Sequence, residues 1–260
     1  MLIALFISNN SFYYQIPIFC QRFVYHLTHK FYSLGENALT VDFGNAISLV
    51  FNEQVHRLHS FFEQHPFIGL VETVPAYSSL TVFYDLCQVR AAFPGFETAR
   101  DAVEELMNER IARDLNSKVF VSRLVRIPVC YDSEFGFDIK FIAAEKRLEA
   151  AEIIKFHTSR VYRVFMLGFL PGFPYLGEVD ERIAVPRRSE PRARVPQGSV
   201  GIANRQTGIY PFDSPGGWQI IGRTPLRLFN SQIDSPTLLK SGDKVQFYSI
   251  ERQEFERLLD

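Results

Sequence analysis

The sequence predicts an α+β protein in two parts, a ferredoxin-like α/β sandwich followed by a β-barrel or β-sandwich. Strand and helix patterns in the order β-α-β-β-α, within residues 37–113, predict the first part. Turn residues predict the second part, because 17 of the 29 Gly and Pro residues fall within residues 168–225 and separate short apolar stretches. A chain of 260 residues is long enough for two such domains.

The first half contains the alternating patterns of a small sandwich. Apolar and polar residues alternate over residues 37–43, which predicts a strand. Strands at residues 71–74 and 80–84 precede a second helix that begins near Thr98. We expect a further strand near residues 118–129 to complete this sheet. The first helix is predicted by apolar residues at spacings of three and four: Phe51, Val55, Leu58 and Phe62.

The second half begins with helical patterns at residues 139–148 and 150–156, followed by a strand over residues 161–169. From Gly168 onward the sequence predicts no helix. It predicts short strands at residues 183–185, 199–202, 218–221, 226–229 and 244–250. The expected domains are an N-terminal extension at residues 1–30, the ferredoxin-like domain at residues 31–118 and the barrel domain at residues 119–260.

The overall composition narrows the function and the compartment. Lys and Arg number 28 against 29 Asp and Glu, and a nearly neutral chain lacks the charge of a generic nucleic-acid binder. The first 20 residues carry no charge, yet polar residues interrupt them too often for a signal peptide or a membrane span. We interpret them as an added strand or tail, or as the product of a start codon assigned too early. Three dispersed cysteines form no CxxC motif, which favours a reducing, cytoplasmic location: Cys20, Cys87 and Cys130.

Motifs of complete catalytic machinery are absent from the sequence. It contains no GxxxxGK[ST] phosphate loop and no GxGxxG motif, and residues 197–201 lack the first Gly of a nucleophile elbow. His56 and His59 have no third ligand at metal-motif spacing, so we expect no metal site in this chain.

Arginines are concentrated in the Gly- and Pro-rich stretch. Residues 168–225 contain seven arginines, five acids and no lysine. A guanidinium group matches a carboxylate or phosphate with two parallel hydrogen bonds, and interleaved prolines stiffen the loops. This pattern favours a pocket for a small anion; the alternative is that the arginines are solvated or paired with acids of the same chain. They are Arg182, Arg187, Arg188, Arg192, Arg194, Arg205 and Arg223.

A run of motifs between residues 157 and 225 resembles the signature of a known family. In order, they are HTS at 157–159, GFLPGFPYLG at 168–177, PRR at 186–188, PR at 191–192, VPQGSVGI at 195–202, QTGIYP at 206–211 and SPGGWQIIGRTP at 214–225. This order resembles the family of the 5-oxoprolinase B subunit, also called the KipI-like or allophanate hydrolase subunit 1 family. A weaker likeness covers residues 31–84. The resemblance implies a small N-terminal α+β domain followed by a cyclophilin-like β-barrel.

The resemblance also implies a hydrolase component that is active only in a complex. In the bacterial 5-oxoprolinase, such a chain works with a cyclophilin-like C subunit, and with an A subunit that is LamB/YcsF-like. Together they hydrolyse 5-oxo-L-proline to L-glutamate at the expense of ATP. Other members act in the allophanate pathway or inhibit a sporulation histidine kinase. The alternatives are therefore subunit 1 of an allophanate hydrolase, a non-catalytic kinase inhibitor, and an inert scaffold that the C subunit completes. Neither nucleic acid nor membrane is an expected partner.

Lactam hydrolysis with ATP requires cations around carboxylate and phosphoryl oxygens, which the arginine-rich loops can supply. His157 is the only histidine beyond residue 65, so it is the sole imidazole available as a general acid or base. Its alternative role is that of a histidine stabilised at a helix C-terminus. We expect His157, Arg192 and Arg223 to be catalytic, and the substrate-binding residues to be Arg187, Arg188, Arg194, Gln206 and Tyr210.

One pair of residues departs from the family pattern. Asn204 and Arg205 stand where the family usually has two small residues. If this turn requires a positive φ, Asn tolerates it better than Arg. A bulkier, charged turn is expected either to narrow the pocket or to add a ligand for an anion.

Overall fold

The computed structural model describes residues 29–113 and 122–259, so the uncharged segment at residues 1–20 lies outside the described residues. Its helices and strands follow one another in the order predicted for a two-part α+β chain. In the first part they are β1 Lys30–Ser33, β2 Ala38–Asp42, α1 Leu49–Gln64, β3 Leu70–Pro75, β4 Ser79–Tyr84, α2 Leu86–Ala92 and α3 Ala99–Arg113.

The second part contains most of the strands. Its elements are β5 Leu124–Val129, α4 Ile139–Lys146, α5 Ala150–Thr158, β6 Val161–Leu167, β7 Pro174–Gly177, β8 Arg192–Val195, β9 Ser199–Ala203, β10 Gln206–Ile209, β11 Ser214–Gly216, β12 Gln219–Arg223, β13 Lys244–Ser249 and α6 Arg252–Arg257.

The N-terminal part is a four-stranded antiparallel sheet in the order β1-β2-β4-β3, with α1 and α3 packed on it. Strand alternation directs one side of β2 and β4 inward, and these side chains are fully buried. The apolar stripe of α1 covers them, as its spacing predicts. The resulting core includes Leu39, Val41, Leu80, Val82, Val55, Leu58, Val103 and Met107.

The strand expected to complete this sheet is elsewhere, so that prediction is wrong. β5 pairs in parallel with β13 in the second sheet, and β1 takes the outer place beside β2. The physical reason is packing, because the last three residues of β5 are buried and Ile127 and Val129 belong to the core of the C-terminal part. The elements β2, α1, β3, β4 and α3 follow the predicted order, with the unpredicted helix α2 before α3. The described residues provide the fourth strand from the N-terminal side, and the ferredoxin-like arrangement stays a prediction.

The C-terminal part is built on a seven-stranded sheet in the order β12-β9-β10-β7-β6-β13-β5, and β8 pairs separately with β11. β9, β10 and β12 form an antiparallel group in which nearly every residue is buried, because the sheet is covered on both faces there. α4 and α5 pack beside it. These strands and helices position the loops that carry the arginines.

Four details of the predicted second part need correction. A 3₁₀ turn at Glu181–Ile183 and the helix α6 lie beyond Gly168, where no helix was expected. The stretches at 183–185 and 226–229 form only isolated bridges, through Val185 and Phe229. Short apolar runs of three or four residues fit a strand and a buried turn equally well, so periodicity does not separate the two.

Two features are absent from the described residues. No helix among them is long and apolar enough to cross a membrane. Within the same ranges, no group of three or more His, Cys, Asp or Glu residues could hold a metal ion.

Candidate functional site

An aromatic cleft lies where the loops after β6, β7 and β10 meet the segment around β11. It has a volume of about 390 Å³. Its wall is mostly aromatic, and one guanidinium group faces it. A concave, largely apolar site with a few polar groups is the usual form of a small-molecule site. The lining residues are Phe169, Leu170, Phe173, Tyr175, Arg187, Pro191, Tyr210, Ser214, Pro215, Gly216, Gly217 and Trp218.

Phe173 organises the wall of this aromatic cleft. Its ring makes edge-to-face contacts with Tyr175, Tyr210 and Trp218 at centroid distances of 5.0, 5.2 and 5.4 Å. Such contacts stabilise an aromatic cluster beyond the apolar area that they bury. Phe173 and Trp218 are almost completely buried. The wall is therefore rigid before any ligand arrives.

Arg187 brings the positive charge to the aromatic cleft. Its guanidinium carbon lies 5.8 Å from the centroid of the Trp218 ring. Among residues 29–113 and 122–259, no carboxylate lies within ion-pair distance of Arg187. An arginine stacked over an aromatic face keeps its hydrogen-bonding edge free for an anion. Arg187 can therefore bind a carboxylate or phosphoryl group.

Tyr210 places a hydroxyl group in the same cleft. Burial raises the pKa of Tyr210, so its hydroxyl stays protonated and can donate a hydrogen bond at neutral pH. Gly216 makes room for this side chain, because a Cβ atom at Gly216 would lie 2.5 Å from the Tyr210 Oη. The neighbouring Gly217 has no such neighbour, since the nearest atom would be 3.7 Å away.

Phe169 stands at the mouth of the aromatic cleft. Its backbone has a φ of +68°, a conformation that bulky residues rarely adopt. Its ring is 62% exposed and contacts the Phe173 ring edge-to-face at 5.6 Å. The turn after Gly168 thus directs a large apolar side chain outward beside the opening.

Of the eight predicted site residues, Arg187 and Tyr210 are brought together in the cleft. Two others face a buried acid instead. Arg192 forms two hydrogen bonds to Asp138, at 2.9 and 2.7 Å, and the Arg188 Nη1 lies 3.4 Å from the same carboxylate. Asp138 also accepts a hydrogen bond from the backbone N–H at the second position of β12, at 2.6 Å. Arg192 and Arg188 therefore tie the loop before β8 to the start of α4.

Two further predicted arginines are occupied by other partners. Arg194 is 78% exposed and pairs with Asp213, and its Nη2 lies 2.6 Å from the carboxylate. Arg223 donates to the Gln197 carbonyl at 2.7 Å and packs near the Phe255 ring. These contacts hold loops and leave both arginines outside the lining of the aromatic cleft.

The alternative interpretation, arginines paired with acids of the same chain, thus describes five of the seven: Arg182, Arg188, Arg192, Arg194 and Arg205. The predicted residue Gln206 is also engaged, because its side-chain amide donates to the Tyr77 hydroxyl of the N-terminal part.

His157 lies inside the C-terminal part, away from solvent. Its side chain is completely buried and stacks on Phe247 at a centroid distance of 4.5 Å. Its Nδ1 and Nε2 are 2.7 and 3.0 Å from the hydroxyls of Tyr131 and Thr207. Burial lowers the pKa of His157 to about 3. This placement supports a structural role and offers no support for the predicted acid/base role.

The Asn204–Arg205 turn has the geometry that its sequence allows. Asn204 adopts a φ of +52°, whereas Arg205 is not among the residues with a positive φ. Arg205 pairs with Glu178 at 2.7 Å and with Glu181 at 3.4 Å. It is not among the residues lining the aromatic cleft, so the turn neither narrows that cleft nor adds a ligand to it.

Sequence reasoning missed Asp138. The isolated acid precedes α4 in the sequence and lies 54 positions from Arg192, so no local spacing connects the pair. The cleft had a clearer signal. Its aromatic residues stand in the Gly- and Pro-containing motifs at 168–177, 206–211 and 214–225, where turn residues are frequent.

Comparison with known proteins identifies close relatives. A family model described as "Carboxyltransferase domain, subdomain C and D" matches residues 29–239. The chain is 45% identical over 223 residues to the B subunit of 5-oxoprolinase from Bacillus subtilis (strain 168), covering 85% of this chain and 93% of that protein. It is 38% identical to the corresponding 5-oxoprolinase protein of Escherichia coli O157:H7, over 83% of this chain and 94% of that protein.

Solved structures of similar proteins have the same fold. The crystal structure of TTHA0988 matches 82% of this chain with a TM-score of 0.71 and 33% identity, and this chain spans only 40% of it. PH0987 from Pyrococcus horikoshii is 42% identical, with a TM-score of 0.50 over 87% of this chain and all of that one. Among relatives found by sequence, a urea amidolyase of Lachancea kluyveri is 23% identical to this chain, and the matched region is 14% of the length of that protein.

Proposed function

Because this chain belongs to the family of the 5-oxoprolinase B subunit, we propose that it is the B component of an ATP-dependent 5-oxoprolinase. In this proposal it hydrolyses 5-oxo-L-proline to L-glutamate together with the A and C subunits. The observation that carries the proposal is the 45% identity over 93% of the length of the Bacillus subtilis protein. A match over nearly the whole relative supports a shared role more strongly than a shared fold does.

The aromatic cleft suits the substrate of this reaction. 5-Oxo-L-proline is a small five-membered lactam that carries one carboxylate. Arg187 can bind the carboxylate through two parallel hydrogen bonds, and Trp218 and Phe173 can pack against the ring. The protonated Tyr210 hydroxyl can donate to the lactam oxygen, where negative charge increases as the amide reacts. In this arrangement Arg187 and Tyr210 are the substrate-binding residues.

ATP and the remaining catalytic groups belong to the complex as a whole in this proposal. The sequence contains no phosphate-loop motif, and the arginines at positions 188, 192, 194 and 205 are engaged by acids of the chain itself. ATP provides the free energy for opening the stable lactam amide. This chain then contributes the substrate cleft, while the cyclophilin-like C subunit, together with the LamB/YcsF-like A subunit, completes the catalytic site.

The fold and the cysteines agree with this assignment. The seven-stranded sheet supports the assignment of a cyclophilin-like barrel, which the family resemblance implies. In TTHA0988 the region similar to this chain is part of a longer polypeptide, which fits a unit that works beside further domains. Cys87 and Cys130 are free thiols, which fits the cytoplasm. The urea amidolyases share only 23% identity, so allophanate hydrolysis is the weaker candidate.

The test is ATP-dependent release of glutamate by the full chain reconstituted with the A and C subunits. The proposal predicts glutamate release from 5-oxo-L-proline only when this chain, both partners and ATP are all present. Allophanate serves as the competing substrate. Hydrolysis of allophanate but not of 5-oxo-L-proline would move the chain to the allophanate pathway. An absence of both activities, with partners that are active beside another B subunit, would contradict an enzymatic role and favour kinase inhibition.

A further inference from the structure

Tyr77 of the N-terminal part contacts the wall of the aromatic cleft. This residue lies in the turn between β3 and β4. Its ring contacts the rings of Phe165 and Tyr175 at centroid distances of 5.7 and 5.9 Å. Tyr175 in turn contacts Trp218 at 6.0 Å. A continuous row of rings therefore runs from the N-terminal part to the wall of the cleft.

The Tyr77 hydroxyl makes a second contact with the C-terminal part. It accepts a hydrogen bond from the Gln206 side chain. Gln206 begins β10 and pairs with Gly177 at the end of β7, the strand that carries Tyr175. Burial raises the pKa of Tyr77 to about 12, and the nearby Arg187 opposes that rise. The neutral hydroxyl thus holds the ends of two strands beside the cleft.

Asn52 of α1 fixes the turn that carries Tyr77. It is completely buried, and its Nδ2 lies 3.2 Å from the Tyr77 carbonyl and 3.0 Å from the Phe165 carbonyl. The Arg163 Nε donates to its Oδ1 at 3.3 Å. A buried amide costs free energy unless its polar atoms are paired, and these contacts pair both ends. The Tyr77 backbone is therefore held against β6 independently of the cleft.

Formation of an interface between the two parts is enough to explain the contacts of Asn52, but it does not explain the position of the Tyr77 side chain. An interface requires only that apolar and polar groups be buried somewhere between the two parts. Tyr77 instead contacts Tyr175, a lining residue of the cleft, and Gln206, whose strand leads directly to Tyr210. These contacts give the N-terminal part a direct influence on cleft shape.

We infer that Tyr77 is a positioning residue for substrate binding, supplied by the N-terminal part to a cleft built by the C-terminal part. Its ring supports Tyr175, and its hydroxyl holds Gln206, so that the wall of the cleft keeps its shape around a small cyclic carboxylate. This inference rests on the proposed function. It assigns Tyr77 an effect on substrate affinity rather than on the chemical step.

The experiment compares Tyr77→Phe with the wild type in the reconstituted complex. Loss of one hydrogen bond is expected to raise the KM for 5-oxo-L-proline about 3- to 10-fold. The kcat should change by less than about 2-fold, because the hydroxyl does not touch the reacting atoms. Adding Gln206→Leu to Tyr77→Phe should raise KM no further, since both remove the same hydrogen bond. Tyr32→Phe, on the exposed edge strand β1, is the control and should leave KM unchanged.

An unchanged KM in Tyr77→Phe, or a loss confined to kcat, would overturn the inference. A wild-type complex without glutamate release would instead contradict the proposed function. In that case the fluorescence of Trp218, the only tryptophan of the chain, decides the inference in the isolated full chain. Tyr77→Ala should shift its emission to longer wavelength and increase quenching by acrylamide. Tyr32→Ala should do neither, and emission unchanged by Tyr77→Ala would overturn the inference.

Discussion

Arg192 binds the carboxylate of Asp138 with both terminal nitrogens, at Nη1–Oδ2 and Nη2–Oδ1 distances of 2.9 and 2.7 Å. The Asp138 side chain is only 5% exposed, so the charge is held largely out of water. The pair joins β8 to the turn before α4, and the Ile220 backbone completes the acceptor set. Arg192, which the sequence predicted to be catalytic, thus pairs with an acid of the scaffold and is not among the residues that line the aromatic cleft.

Arg192→Ala should lower the free energy of unfolding more than removal of an exposed, solvated charge does. It leaves Asp138 buried with its main partner removed, which costs about 3 kcal/mol in comparable pairs. The measurement is the urea midpoint of unfolding of the isolated full chain.

The matched control is Arg194→Ala, whose side chain is 78% exposed and whose partner Asp213 is 43% exposed. Water screens this pair, so the unfolding midpoint should stay near that of the wild type. Equal midpoints for Arg192→Ala and the wild type would show that the Asp138 pair does not stabilise the loop.

His157 should make stability depend on pH in the acid range. Its pKa is about 3 in the folded chain, against an ordinary value of about 6.5. The unfolded chain therefore binds a proton that the folded chain does not, and the free energy of unfolding falls as pH decreases from 6.5 toward 3. The slope contributed by this group is at most about 1.4 kcal/mol per pH unit. Above pH 6.5 the contribution is constant.

His157→Gln should reduce this slope between pH 6 and 4 by up to about 1.4 kcal/mol per pH unit, measured by urea unfolding at several pH values. An equal slope in His157→Gln and the wild type would contradict a buried neutral imidazole. A general acid or base contributes about 100-fold or more to kcat, so a smaller loss in folded His157→Gln would show that His157 is not catalytic.

Gly216→Ala should reshape the aromatic cleft through Tyr210. The added methyl group would lie 2.5 Å from the Tyr210 Oη, so that ring must move. Overpacking of this kind lowers the free energy of unfolding by about 1–3 kcal/mol. Because the displaced ring lines the cleft, we expect kcat/KM for 5-oxo-L-proline to fall by about tenfold or more. The measurement is glutamate release by the reconstituted complex.

Gly217→Ala tests whether the effect is steric. Its nearest atom would be 3.7 Å away, an ordinary contact, so activity should remain near the wild-type value. Similar losses in both glycine variants would contradict the proposed packing of Gly216 against Tyr210.

The amphipathic patterns of the first half predicted α1, β2 and β4. Each of these elements buries one face, so its apolar residues recur at a regular spacing in the sequence. The partner of β5 was not predictable in this way. Its pairing with β13 joins residues about 120 positions apart, and no local pattern records such a contact. The same reason separates Arg187 from Arg192, since both stand beside prolines in similar sequence. Only the tertiary contact with Asp138 distinguishes them.

The KM for 5-oxo-L-proline of the complex carrying Arg187→Gln tests the central claim most directly. If the Arg187 guanidinium binds the substrate carboxylate, removing its charge should raise KM about 10- to 100-fold. Arg194→Gln, outside the cleft, should change KM by less than about 2-fold. A wild-type KM in the Arg187→Gln complex would contradict the assignment of the aromatic cleft as the substrate site.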